Sequence, residues 1–65
     1  MKATYTSVWD GGIEVATACE YNPETKVCTD IEDSGVEGVN NLEDEYVTLP
    51  DGTELREKDG VTFEY

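Results

Sequence analysis

Four turn signals punctuate this chain: Asp10-Gly11-Gly12, Asn22-Pro23-Glu24-Thr25, Pro50-Asp51-Gly52 and Lys58-Asp59-Gly60. Glycine reaches the positive φ that tight hairpin turns demand, and proline presets the φ of a turn's second residue. Between the signals lie six stretches of five to nine residues, at 2–9, 13–21, 26–32, 45–49, 53–57 and 61–65. Stretches that short are marginal as helices. They are rich in Val, Thr, Ile, Tyr and Trp, which fit a pleated surface. The spacing of turns predicts an all-β fold.

Lys2–Trp9 (KATYTSVW) leads through the glycine turn into Ile13–Tyr21 (IEVATACEY). The period-two alternation of the second stretch sets Ile13, Val15, Thr17, Cys19 and Tyr21 inward, with Glu14, Ala16, Ala18 and Glu20 outward. After a type I turn with Pro23 at its favoured position, Lys26–Glu32 offers Val27, Thr29 and Ile31 to one face and Cys28 and Asp30 to the other. A two-residue loop at Pro23 and Glu24 would set Cys19 opposite Cys28, and a longer loop would break that register. The last three stretches read as a second meander. Between the two meanders, Asp33–Asp44 combines two glycines and two asparagines with Val36, Val39 and Leu42 at a spacing of three. It reads as a loop with one helical turn near residues 36–43.

The expected fold is a single small acidic β domain over residues 1–65, with about six short antiparallel strands in two meanders, barrel-like or sandwich-like. Its expected core is Tyr5, Ile13, Val15, Tyr21, Val27, Ile31, Leu42, Val47, Leu49, Leu55, Val61 and Phe63. That core is thin, because a chain of this length buries only about 60% of its unfolded surface. Alternation leaves Trp9 open. If Tyr5 faces inward, so do Ala3, Ser7 and Trp9; if Val8 does, the aromatics of the first strand look outward.

Charge is the strongest compositional signal: 16 Asp and Glu face 4 Lys and Arg, for a formal charge of -12. Repulsion on that scale opposes contact with nucleic acid or an anionic membrane, which leaves a basic protein, or nothing, as partner. From Val27 to Leu55 there are nine acidic residues and no basic one, and a continuous negative surface is expected there. No apolar run of about 18 to 20 residues and no leader pattern occurs, so the expectation is a cytoplasmic, non-membrane protein with free thiols at Cys19 and Cys28.

The residue types also limit chemistry. Without histidine there is neither a Ser-His or Cys-His nucleophile pair nor a His-ligated metal. Two cysteines outside a Cys-x-x-Cys spacing are too few for structural zinc. Close carboxylates arise by chance in so acidic a chain, and a small sheet offers no deep cleft to raise one carboxyl's pKa, so neither an enzyme nor a cofactor is expected. Asp30–Gly35 (DIEDSG) begins like an EF-hand loop, but position twelve falls on Asn41 instead of a bidentate Glu, so no metal site is expected.

The sharpest functional reading is an acidic protein-binding module, in its most specific form a nucleic-acid mimic that inhibits a basic DNA- or RNA-binding protein. Its candidate partner-binding residues are Asp30, Glu32, Asp33, Glu37, Glu43, Asp44 and Glu45, with Trp9 and Tyr46 as aromatic anchors. Residues two apart on a strand are about 6.7 Å apart, whereas each DNA strand carries a phosphate about every 3.4 Å. Only carboxylates from adjacent strands, or the Glu43–Glu45 run, would approach that density. The alternative is a structural or accessory protein whose acidity serves solubility alone.

The run YTSVWDGGIEVATACEYNPETKVCTDIE, from Tyr5 to Glu32, together with the later LPDGTEL, resembles small bacterial proteins associated with gut bacteria and their mobile elements. The resemblance implies no activity and no site residues. Small acidic proteins of mobile elements include inhibitors of restriction and CRISPR nucleases, an analogy that lends the mimic reading some weight.

Overall fold

The structure is a computed structural model that describes residues 1–32 and 42–64. Six strands form one sheet: β1 (Lys2–Trp9), β2 (Ile13–Asn22), β3 (Val27–Thr29), β4 (Leu42–Thr48), β5 (Glu54–Leu55) and β6 (Thr62–Phe63), with a 3-10 turn at Glu57–Asp59. Their order across the sheet is β5-β4-β1-β2-β3-β6. The first three strands are the expected meander. The other three do not form a second one: β4 pairs antiparallel with β1 and β5 with β4, whereas β6 crosses to the far side and pairs parallel with β3.

Local chemistry accounts for three of the connections. Gly11 and Gly12 hold φ of 91° and 81° in the β1–β2 turn, where the Gly12 amide donates to the Trp9 carbonyl at 3.0 Å. The β2–β3 loop has four residues, not two. Asn22 Oδ1 accepts from the amides of Glu24 and Thr25, and the loop closes with the Lys26 amide donating to the Asn22 carbonyl. At the expected third hairpin, the Asp59 carboxylate accepts the Arg56 amide at 3.0 Å and winds Glu57–Asp59 into the 3-10 turn that ends at left-handed Gly60. The chain is thereby carried away from β5 and towards β3. There the Thr62 and Glu64 amides donate to the Lys26 and Cys28 carbonyls, both at 2.9 Å.

The sheet curls into a half-barrel. Phe63, on the border strand β6, packs edge-on against Tyr5 of the central strand β1 with ring centroids 5.4 Å apart. A flat sheet would hold them three strand spacings apart, about 14 Å. The concave face carries the core: Tyr5, Cys19, Tyr21, Cys28, Val47 and Val61 are buried, with Ala3, Ile31, Leu49, Leu55 and Phe63 packed against them.

Several inner-face expectations change. Trp9 is buried at 4% exposure and its Nε1 donates to Ser7 Oγ at 2.8 Å, so it belongs to the interior with Tyr5 and Ser7. Ile13 (57%) and Leu42 (36%) are exposed, because both sit beside Trp9 at the end of the sheet, where a strand's last inward residue has little to cover it. On β3 the assignment of faces is reversed. Cys28 opposes Tyr21 and points inward, while Val27 and Thr29 are half-buried. Ile31 still reaches the core, because Asp30 adopts φ of 54° and breaks the alternation beyond β3. Residues 33–41, which contain most of the expected helical turn, lie outside the described residues, and Leu42 and Glu43 are strand.

Candidate functional site

The acidic run Glu43-Asp44-Glu45 does not present one surface. Val8 pairs with Asp44 and Trp9 with Leu42, so Glu43 is the extra residue of a β-bulge. Asp44 turns to the convex face, where Arg56 grips it: Nε lies 3.1 and 3.3 Å from the two carboxylate oxygens, and Nη2 lies 3.1 Å from Oδ2. Glu45 turns to the concave face, and its carboxylate accepts the Tyr5 hydroxyl at 3.0 Å. Tyr46 lies under the same arginine, whose guanidinium carbon is 4.5 Å from the ring centroid. Arg56, the first basic residue after the acidic stretch, thus folds back to neutralise part of it.

The other candidates stand on the opposite flank. Asp30 and Glu32 are exposed and gather with Glu20 around Lys2, at the β2–β3 side of the sheet. In the order of the sheet, β1 and β2 stand between them and β4. Asp33 and Glu37 lie outside the described residues. Among the described residues, the acidic side chains from Val27 to Leu55 fall into two groups, one at β4 and β5, where Arg56 binds Asp44 and Glu54, and one beside β2 and β3.

The two cysteines are free and buried. Because the β2–β3 loop has four residues, Cys28 opposes Tyr21, and Cys19 lies diagonally across the ladder. Diagonal neighbours stand about 7–8 Å apart, beyond the usual span of a disulfide. Burial pushes the Cys28 thiol up to about 12, aided by its hydrogen bond to Cys19 and by the charges of Cys19 and Glu45. Burial also raises Cys19, against the hydrogen bond with Cys28, which lowers it. Both thiols remain protonated at neutral pH and are poor nucleophiles.

The depression lined by Leu42–Glu45 and Arg56–Lys58 is open, holds about 290 Å3, and is mostly charged. Small-molecule sites are mostly apolar and enclosed, so this surface suits a polar partner better. Among the described residues no group of three or more His, Cys, Asp or Glu is placed to hold a metal ion, and no helix is long and apolar enough to cross a membrane.

The sheet has two further borders that sequence reading did not single out. Met1 and Tyr21 exchange backbone hydrogen bonds, at 2.6 and 2.8 Å, which fixes the phase of the β1–β2 ladder. Odd residues of β2 bond to β1, and even residues point the other way. Of these, Asn22 and Glu20 meet β3, and the Ala18 carbonyl accepts the Glu32 amide at 3.4 Å. Glu14 and Ala16 have no ladder partner on that side among the described residues. On β4 the outward amide of Glu45 is instead covered by Asp44 Oδ1 at 2.9 Å. Strand alternation, once placed beside the register, is the signal that finds the open positions. No protein-family model, curated protein or solved structure matches the chain.

Proposed function

We propose that this chain is a non-enzymatic acidic binding domain whose partner is a basic protein. In its most specific form it occupies the nucleic-acid groove of a DNA- or RNA-binding protein and so inhibits it. The observation that carries this reading is the imbalance of charge on the folded surface. Among the described residues, ion pairs join the Met1 amino group to Glu20 and Arg56 to Asp44 and Glu54. Most of the described Asp and Glu side chains are exposed, in a chain of net charge -12. A surface of that kind accelerates encounter with a basic target and makes the complex salt-sensitive.

One observation favours the second reading, in which acidity serves solubility alone. Asp44 and Glu45 turn to opposite faces, so the densest acidic run does not build a phosphate-like row. Pull-down from a bacterial lysate at low and at high salt separates the two. The binding reading expects a basic nucleic-acid-binding protein retained at low salt, released at high salt and displaced by added duplex DNA. Absence of any salt-sensitive partner overturns it.

A further inference from the structure

We propose that the open border of β2, at Glu14 and Ala16, is where the partner docks, by adding an extended lysine- or arginine-bearing segment as a seventh strand. This rests on the reading of the partner as a basic protein and specifies how that partner is held.

The backbone supplies the first part of the case. The ladder phase turns the N–H and C=O groups of Glu14 and Ala16, and the N–H of Ala18, away from β1. β3 reaches only Glu20–Asn22, and Glu32 takes the Ala18 carbonyl. Among the described residues, two donor–acceptor pairs and a further donor are left in register along about 14 Å of strand, the repeat that strand addition uses.

The contrast with β4 supplies the second. Proteins protect strand borders with bulges, charges and side chains laid over the backbone. β4 has all three: the bulge at Glu43, the Asp44 carboxylate on the Glu45 amide, and Arg56 bound to Asp44. Among the described residues, the outer border of β2 from Ile13 to Ala18 has no bulge and no side chain laid over it, and it carries one charge, Glu14, in a chain that is 31% charged.

Side chains define the occupant. On the convex face Glu14 stands beside exposed Ala16 and Ala18, leaving room for long side chains and one charge to meet. A lysine or arginine opposite Glu14 gains a cross-strand pair. On the other face Ile13 is 57% exposed and would be covered by an apolar neighbour. Asp10, Glu20, Asp30 and Glu32 surround this border; Lys2 stands among them, and the Met1 amino group pairs with Glu20 at 3.4 Å. The complementary segment alternates basic and apolar residues. A second copy of the chain is disfavoured, since it brings another charge of -12.

The test uses the full chain and a fluorescent octapeptide of alternating Lys and Val, compared with the same peptide N-methylated at alternate residues. N-methylation removes the backbone donors along one border and keeps charge and side chains. Binding should fall about tenfold or more on N-methylation, the equivalent of one or two hydrogen bonds. It should fall similarly with Ala16→Pro, whose amide takes no part in the β1 ladder. Independently of whether that variant folds, hydrogen exchange at the Glu14 and Ala16 amides of the unaltered chain should slow when the peptide binds. Equal, salt-sensitive binding of both peptides overturns strand addition and leaves the acidic binding reading standing. Absence of salt-sensitive binding to either peptide counts against both. Self-association that grows with salt and protects the same amides also overturns the proposal, by making the second copy the occupant.

Discussion

The borders of β4 and β2 flank the same central strand and are finished differently. β4 is bulged at Glu43, covers its own Glu45 amide with Asp44, and is pinned by Arg56 through Asp44 and Tyr46. β2 presents plain alternation from Ile13 to Ala18, with Glu14 its one charge. Both belong to an acidic chain, so net charge does not distinguish them. Each flank also has cations of its own: Arg56 is bound to Asp44 beside β4, while the Met1 amino group pairs with Glu20, and Lys2 stands nearby, beside β2 and β3.

The largest expected effect comes from the residue that ties the two flanks together. Tyr5 touches Glu45 through its hydroxyl and Phe63 through its ring, and lies in the same buried cluster as Val47 and Cys28. Tyr5→Ala should cost about 3–5 kcal/mol, enough to unfold a domain this small. Urea denaturation followed by circular dichroism should show little or no folded baseline, and a stable variant would mean that the two flanks hold without their shared pillar.

A second effect sharpens the β3 end of the comparison. The folded Cys28 pKa is raised from 9.0 to about 12. The unfolded chain therefore releases this proton first as pH rises. The stabilising contribution is complete below pH 9 and is lost progressively towards 12. Alkaline titration should reveal falling stability across that window, flattened in Cys28→Ala relative to that variant's own neutral-pH value. Equal slopes would place the thiol in solvent.

Arg56→Ala attacks the β4 border directly. Its ion pairs are about a third exposed, and its cation–π contact lies at the surface, so the loss should be about 1 kcal/mol. Chemical denaturation measures this loss. The same variant should bind basic peptides more strongly, because it frees Asp44. The smallest effect belongs to Asp51, whose carboxylate accepts the Thr53 amide in the β4–β5 turn and is thereby held below the usual range. Its contribution is present above the ordinary carboxylate pKa and fades as pH falls through the lowered one. Asp51→Asn should diminish that acid-side loss slightly in a pH series of melting temperatures.

The sequence made the first half of the fold legible because its signals are local. Lys2–Trp9 and the Gly11-Gly12 turn are where the turn chemistry puts them, and alternation along β2 gives the correct faces. The second half depended on choices that local pattern does not encode. Lys58-Asp59-Gly60 carries the composition of a hairpin turn, yet the Asp59 carboxylate on the Arg56 amide makes it a 3-10 turn, and buried Val61 with Phe63 draws β6 to the other side of the sheet. The faces of β3 were misread because Val27 and Ile31 are more apolar than Cys28, although only Cys28 lies opposite buried Tyr21. Among the candidate partner residues, charge was visible and direction was not. Beside the bulge at Glu43, Asp44 and Glu45 turn to opposite faces, and Trp9 is interior.

Amide hydrogen exchange of the free protein, followed residue by residue by NMR, decides whether β2 has an open border and β4 a covered one. Exchange should be slow at Val15 and Thr17, whose amides face β1, fast at Glu14 and Ala16, and intermediate at Glu45 under its Asp44 cap. Uniform protection from Ile13 to Ala18, or a Glu45 amide as fast as that of Ala16, would contradict this difference between the two borders.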